Sequence, residues 1–538
     1  MLVFYVFDGK KTCKNTVFLL AINDDIIERI CKYIIVLTQN TIQEENTMNN
    51  KSKNKEEAVD KLKELFSNSS VAKDKHTGQL YLVIQNDDNS LNGYLLGSSE
   101  FYRVIKKKYY ETYGSLVNAS NIAIFKEILE VTHYDTDVEI SVVTRVYNDG
   151  KLYAYELDKD TNLQLVIQDG EIVFGTITDA IFKHPIDYAN QVEPDLNAEP
   201  TELFGYMKKH FKMEEWQLKL LTLYLVTSYM GLCISHPLLV LCGEKGSSKS
   251  TSLKKLEMLI DPKSVGLGSI PKNAESLDLK LSNSYYVTLD NLSSLSRSVS
   301  DTLARAVTGG SVSKRKLFTD NEEVLLNLKS LVAINGVTLV TKESDLLDRA
   351  LILTMQRIRP DEVVSDEELW ARFEKDRPAI LGCCFNALAE VLEDTEPVYV
   401  DKLIRMADFH IASVKVGRTL GWDEEEVNNL LWKNQETANK KTLDEDIVAL
   451  AVIELMSGYG ENQIYQNSVT GLLKDLRDVL YSNEIDPYLL PKLPNKLSNR
   501  LSKVASSLKA EHGIIYSIKN IGTFKQITIS KCRKIVIE

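Results

Sequence analysis

Residues 238–253 read LLVLCGEKGSSKSTSL. An apolar run ends at Cys242. A turn rich in glycine and serine follows, then a lysine, two hydroxyl residues and the start of a helical pattern. This is one residue away from the phosphate-binding loop G-x-x-x-x-G-K-[ST], and it has the strand-before, helix-after setting that loop needs. Backbone N–H groups at a helix start can cradle phosphates. In such a loop Lys249 would place its ammonium at the outer phosphates, and Ser250 would put its hydroxyl on a magnesium ion. Gly243 and Gly246 supply the turn and the close approach, and Ser247 and Thr251 complete the set of contacting residues. Ser248 stands where the glycine before the lysine is expected, and keeps a small side chain there. The plainer alternative is a Gly/Ser surface turn.

The residues downstream supply the rest of a nucleotide site. NSYYVTLDNLSSLS predicts a strand ending at Asp290, 290 − 249 = 41 residues after the lysine. An acid at the end of an apolar strand beside the loop can hold magnesium through its water shell. SLVAING predicts another apolar strand, ending at Asn335, whose amide could orient an attacking water. SDLLDRALIL carries Asp348 and Arg349. Arg349 could reach the nucleotide of a neighbouring subunit as a finger, or simply pair with Asp348. Between these segments, TGGSVSKRKLFTDNEEVLLNLK reads as a hairpin with its tip near Thr319, Asp320 and Asn321. Lys314, Arg315 and Lys316 lie close together on one arm, as phosphate contacts on a hairpin facing a central channel would. An ordinary charged hairpin reads the same way.

The 538-residue chain is too long for one core and is expected to divide into several domains. Its hydrophobic content of 44% and charged content of 26% are those of an ordinary soluble protein. The seven cysteines, Cys13, Cys31, Cys233, Cys242, Cys383, Cys384 and Cys532, include no C-x-x-C pair. That argues against a zinc site and a disulfide scaffold, and fits small buried hydrophobes in a reducing cytoplasm. No apolar run approaches the roughly 20 residues that span a bilayer. A net charge of −12 does not suggest a general nucleic-acid coat, yet it leaves room for a local basic surface.

Residues 1–45 suggest two strands and a helix, and the polar NTMNNKSKNKEE at 46–57 reads as a linker. Because Met48 lies inside that linker, the preceding residues read as an extension of a body that begins later. From 58 to 195 the pattern is mixed α and β. QLYLVIQ and EISVVTRVYNDGKLYAYEL predict strands, with a hairpin turn at Asn148, Asp149 and Gly150. SSEFYRVIKKKYYETYG predicts a helix capped by Ser98 or Ser99. Its Lys106, Lys107 and Lys108 with Tyr109 and Tyr110 could meet a phosphate backbone, or form a solvated face. Asp135, Asp137 and Glu139 of HYDTDVE would alternate on one strand face, the arrangement a two-metal primase centre needs. They would equally form a polar strand edge. Residues 196–360 alternate strands and helices, as a parallel sheet requires; 361–440 are mostly helical; 441–538 are helical and end in GIIYSIKNIGTFKQITI, two short strands around a turn.

Residues 491–538 hold ten Lys or Arg against two acids, Glu511 and Glu538, a local balance of 10 − 2 = +8. Such segregation suits a DNA-facing winged helix. PNKLSNRLSKVASSLKAEHG would be its recognition helix, bringing Arg500 and Lys503 to DNA and ending at Gly513. Binding to a protein is the alternative.

The order of the loop, the LDN strand, the TGG-plus-basic hairpin, AING and DLLDRA resembles AAA+ ATPases of the superfamily 3 type. More closely, it looks like the primase–helicase ATPases of phages, plasmids and genomic islands, including the islands' helicases that resemble minichromosome maintenance proteins. RMADF at 405–409 and the terminal winged helix also look like that group. The likeness covers roughly residues 200–538, and more weakly from about 78. It implies a multidomain α/β protein: a 1–57 extension and linker, a 58–195 α+β domain, a P-loop core at 196–360, a helical subdomain at 361–440 and a winged-helix domain at 441–538. It also implies a ring, usually a hexamer, that hydrolyses ATP with Mg2+ between subunits and draws single-stranded DNA through its centre. By that likeness Lys249 and Ser250 bind phosphate and magnesium, Asp290 holds the metal, Asn335 is a sensor and Arg349 the finger acting in trans. Many AAA+ proteins carry a glutamate after the Walker B aspartate, whereas this chain has Asn291, which can position water but cannot take its proton. Asp301 and Glu322 are alternative bases.

The expected function is therefore an ATP-dependent DNA helicase or translocase in the replication of a mobile element, in the cytoplasm; the alternatives are a nucleotide-switched initiator or loader that does not unwind processively and, for the N-terminal half, a primase.

Overall fold

The computed structural model describes residues 55–86, 89–271, 273–315, 323–337, 343–444, 446–460, 463–521 and 524–532. The expected strands and helix of residues 1–45 lie outside these. The chain divides into two compact units, Met1–Val71 with Tyr94–Thr136, and Ala72–Gly93 with Asp137–Glu538.

The first unit packs three helices: α1 (residues 55–65), α2 (Ser99–Tyr113) and α3 (Ala119–Thr132). Residues 55–57, expected in a linker, lie within α1, because Val59, Leu62 and Phe66 give this segment an apolar face to bury. The Phe66 and Phe125 rings stand 5.7 Å apart. Ser98 caps α2, its hydroxyl accepting the Phe101 N–H at 3.1 Å, and Gly114 ends the helix in the left-handed conformation. Tyr109 is buried, whereas Lys106, Lys107 and Tyr110 are exposed. Of the run's two aromatic rings, one is turned into the core and the other, with Lys106 and Lys107, faces solvent. Asp135, Asp137 and Glu139 do not alternate on one strand. Asp135 lies in the turn after α3, Asp137 has no regular structure and only Glu139 is in a strand, since α3 runs on to Thr132 and a strand needs several residues to start.

A five-stranded sheet of strand order β3-β2-β1-β4-β9 is made by β1 (Ser70–Asp74), β2 (Leu80–Gln85), β3 (Leu91–Leu95), β4 (Glu139–Val143) and, further on, β9 (Ala180–Phe182). A four-stranded antiparallel sheet follows: β5 (Val146–Asn148), β6 (Leu152–Asp158), β7 (Leu163–Gln168) and β8 (Glu171–Gly175). The predicted hairpin turn joins β5 to β6: the Asn148 side chain accepts the Gly150 N–H at 2.9 Å, and Gly150 sits at φ 89°.

Helices α4 (Leu203–His210) and α5 (Glu215–Thr227) lead into the sheet that decides the fold. It consists of β10 (Leu238–Cys242), β11 (Tyr286–Leu292), β14 (Leu331–Gly336) and β15 (Ala350–Thr354), in the order β11-β14-β10-β15 with every pairing parallel. Helices α6 (Lys249–Ile260), α7 (Ala274–Asn283) and α8 (Arg297–Thr308) and the antiparallel hairpin β12 (Ser311–Arg315)–β13 (Glu323–Asn327) lie between these strands in sequence. The short α9 (Ser344–Leu347) precedes β15. Alternate residues of each strand enter opposite cores. Leu239, Leu241, Leu331, Ala333, Leu351 and Leu353 join one core with α5 and the antiparallel sheet. Leu238, Val240, Val332, Ile334 and Ile352 join the other with α7 and α8. Burial on both faces explains why LLVLC and LVAI read as unbroken apolar runs rather than alternations.

One buried ion pair locks this arrangement. Arg145 donates from Nε to Asp261 at 2.8 Å and stacks 3.7 Å over the Tyr188 ring, while Asp261 accepts the Tyr286 N–H at 3.2 Å. The end of α6 and the start of β11 are thereby fixed to the antiparallel sheet.

Four helices follow: α10 (Asp366–Glu393), α11 (Ala407–Thr419), α12 (Glu424–Asp444) and α13 (Ile447–Ser457). The C-terminal part adds β16 (Ile464–Ser468), α14 (Val469–Ser482), α15 (Pro494–His512), β17 (Ile514–Ile521) and β18 (Phe524–Lys531) around its own core. Sequence reasoning anticipates the β17–β18 hairpin and the Gly513 cap, at φ 63°, but misses β16, whose five residues IYQNS bury only Tyr465. Cys242, Cys383 and Cys384 are buried, while Cys233 and Cys532 are exposed. No helix among the described residues is long and apolar enough to cross a membrane.

Candidate nucleotide site

The loop between β10 and α6 gathers the site at the C-terminal ends of the parallel strands, where open α/β sheets bind their ligands. A Cβ at Gly243 would lie 2.7 Å from the Ser247 hydroxyl and 2.8 Å from the Met355 carbonyl oxygen, so only glycine fits. Gly246 turns the chain at φ 80°. Ser248 sits at φ 55°, ψ 29°: it has taken over the left-handed conformation that a glycine would adopt without strain. Its carbonyl accepts the Ser252 N–H at 2.8 Å, so α6 starts immediately after it.

Lys249 turns its ammonium back onto the loop, donating to the carbonyls of Gly243 and Glu244, each at 2.7 Å. Burial lowers its pKa from the ordinary lysine range. One residue on, the Ser250 hydroxyl donates to Asp290 Oδ1 at 2.7 Å. The same carboxylate oxygen accepts from the Asn335 side-chain amide at 2.6 Å, and the Asn335 oxygen accepts the Asn291 backbone N–H at 2.6 Å. Asn335 is buried, and both ends of its amide are engaged in tying β14 to the end of β11. That end is irregular. The β11–β14 register shifts between Leu289 and Leu292, and Asn291 adopts φ 57°. The bulge brings Asp290 to Ser250 and leaves Asn291 exposed. The four expected residues Ser250, Asp290, Asn291 and Asn335 thus meet in one hydrogen-bonded chain. The alternative base Asp301 is exposed on α8, and Glu322 lies outside the described residues.

Two cavities flank the loop. One of about 450 Å³ is lined by Ser248, Thr251, Ser252, Lys209, Lys255 and Arg372; another of about 560 Å³ is lined by Gly243, Glu244, Gln356, Arg357 and Lys441. Lys255 is buried with its ammonium 3.0 Å from the His210 carbonyl oxygen, and burial pushes its pKa down to about 8.

Arg349 does not pair with Asp348. It donates to the carboxylate of Asp345, one helical turn back, and to the Asp345 carbonyl at 2.9 Å. Four residues is the spacing at which side chains meet on a helical turn. Asp348 lies 3.5 Å from Arg405, which also donates to Asp345 at 2.7 Å. On the hairpin, Lys314 stands opposite Val324 and Arg315 opposite Glu323, while Lys316 and the tip lie outside the described residues. In the C-terminal part, Arg500 is bonded to Asp446, the buried cap of α13, and Lys503 to Glu343 just before α9. Both side chains of this expected DNA-facing pair are thus engaged within the chain.

Residues 210–423 match the family described as actinomycete integrative conjugative element replication protein, and residues 448–536 match the C-terminal domain of the replication protein RepA of those elements. The chain resembles replication proteins of mobile genetic elements. The first match runs from the end of α4 to the start of α12, and so takes in the loop, the Asp290–Asn335 chain, Arg349 and Arg405. The second takes in α13 to β18. No curated protein matches the chain. Among solved structures, "The A form apo structure of NrS-1 C terminal region-CTR" and "The apo structure of NrS-1 C terminal region (305-718)" align at 12% identity and TM-score 0.36, each covering 86% of this chain and 96% of that one.

Proposed function

We propose that the chain is an ATP-dependent DNA helicase or translocase of the AAA+ superfamily 3 type, acting in the replication of a mobile element. The observation that carries this reading is the contact of Ser250 with Asp290 directly beneath a lysine-bearing loop, at the C-terminal end of a parallel sheet. Ser250 and Asp290 offer two hard oxygen donors a hydrogen bond apart, which suits Mg2+ completed by phosphate and water. Among the described residues no cluster of three His, Cys, Asp or Glu offers a competing metal site. Bound there, Mg2+ with ATP supplies charge neutralisation on the phosphates. Lys249 exchanges its two carbonyl partners for phosphate oxygens, whose negative charge its ammonium meets as an ion pair. The N–H groups at the start of α6 hold the phosphate chain. Asn335 orients Asp290, and Asn291, exposed on the bulge, positions water.

In this reading the subunits form a hexameric ring. Arg349 reaches the nucleotide of a neighbour. Lys314, Arg315 and Lys316 carry single-stranded DNA through the channel, and the C-terminal part is a winged helix that meets duplex DNA through α15. The steady-state ATPase rate with and without single-stranded DNA, at fixed salt, tests it. The full-length protein is expected to be stimulated by DNA and Lys249→Ala to be inactive. Turnover retained by Lys249→Ala would remove the loop from the site.

One observation favours a second reading. The residue after Asp290 is an amide, and its backbone N–H is fixed to Asn335, so no carboxylate stands where many AAA+ proteins place their base. A nucleotide-switched initiator or loader, hydrolysing slowly and indifferent to DNA, would need none.

A further inference from the structure

The RMADF segment enters neither the loop nor the Asp290 chain, yet its first residue reaches Arg349 through one intermediary. Asp345 uses its two carboxylate oxygens for two different guanidinium groups: Oδ2 accepts from Arg349 and Oδ1 accepts from Arg405 at 2.7 Å. Arg405 also lies 3.5 Å from Asp348. Two arginines and two aspartates therefore form a neutral cluster at the end of α9. Arg349 is folded back within it, held by both the side chain and the carbonyl of the residue one turn behind. In that posture the guanidinium serves its own subunit.

A carboxylate with a single cationic partner resists losing it, because the charge left behind is uncompensated. One that keeps a second guanidinium releases the first at lower cost. We propose that Arg405 is a positioning residue for Arg349: by holding Asp345 and Asp348 it frees Arg349 to reach the phosphates of a nucleotide on the neighbouring subunit. The proposal rests on the reading of Arg349 given above. Asp345 and Arg405 are 59% and 44% exposed, so water weakens each pair and the effect is graded rather than absolute.

The test uses full-length protein and ATP turnover at saturating single-stranded DNA. Arg405→Ala is expected to lower kcat about tenfold with KM for ATP within about twofold, because ground-state binding is not touched. Arg405→Lys is expected to fall between the two. Adding Asp345→Asn to Arg405→Ala removes the carboxylate that traps Arg349, and is expected to restore kcat to within about threefold, a coupling that two independent defects would not show. Equal thermal unfolding midpoints for Arg405→Ala and the parent exclude a folding defect. An unchanged kcat in Arg405→Ala, or a loss that Asp345→Asn does not suppress, overturns the proposal. Arg349→Ala separates the two levels. If it retains turnover, both the finger and its positioning residue are overturned. If it is inactive and the double variant is not restored, only the role of Arg405 falls.

Discussion

The hydroxyl of Ser250 and the carboxylate of Asp290 meet at 2.7 Å although 40 residues separate them. The contact exists because β10 and β11 flank β14 in one parallel sheet, and because the bulge after Leu289 turns Asp290 toward the start of α6. Asn335, on the strand between, holds the same carboxylate oxygen from the other side.

Ser250→Ala removes one donor from Asp290 and one oxygen from the proposed magnesium position. The magnesium concentration for half-maximal ATP turnover is expected to rise, by about 10- to 100-fold as for other ligand-orienting groups. Titrating MgCl2 at fixed ATP measures it. An unchanged midpoint would separate this pair from the metal.

Ser248 adopts a left-handed backbone that costs a non-glycine residue about 1–2 kcal/mol. Ser248→Gly is therefore expected to raise the unfolding free energy by about 0.5–1 kcal/mol after the added entropy of the unfolded chain is deducted. Ser248→Val, branched at Cβ, should lower it. Urea unfolding of both variants checks the sign. A destabilised glycine variant would mean that the serine side chain contributes more than its backbone costs.

His236, just before β10, is buried with its ring nitrogen 2.7 Å from the Thr227 carbonyl oxygen, and burial pushes its pKa down to about 4 from 6.5. Because the folded value is the lower one, neutral His236 costs nothing above pH 6.5. As pH falls toward 4, the unfolded chain takes up a proton that the folded chain refuses. Stability should fall by about 1.4 kcal/mol per pH unit across that window, up to roughly 3 kcal/mol. Denaturant midpoints between pH 7 and 4 should show this slope, and His236→Gln should flatten it. An equal slope in the variant would assign the acid sensitivity to other groups.

The sequence alone determined the local pieces. The unbroken apolar runs at 238–242 and 331–334 mark strands buried on both faces. The Gly243–Ser250 spacing marks the loop, and Gly513 marks the end of α15. Periodicity and turn chemistry are local, and these survive folding because a strand or a cap is chosen within a few residues. The partners of charged side chains were not legible. Arg349 pairs with Asp345 rather than Asp348 because a helical turn brings together residues four apart, and Arg405 joins them from 56 residues further along the chain. The partners of Arg500 and Lys503 within the chain, Asp446 and Glu343, are set only once α15 packs beside α13 and α9. The carboxylates of HYDTDVE separate because α3 runs to Thr132. Long-range ion pairs depend on which elements pack together, and that choice is made by the cores, whose apolar residues carry no mark of their partners.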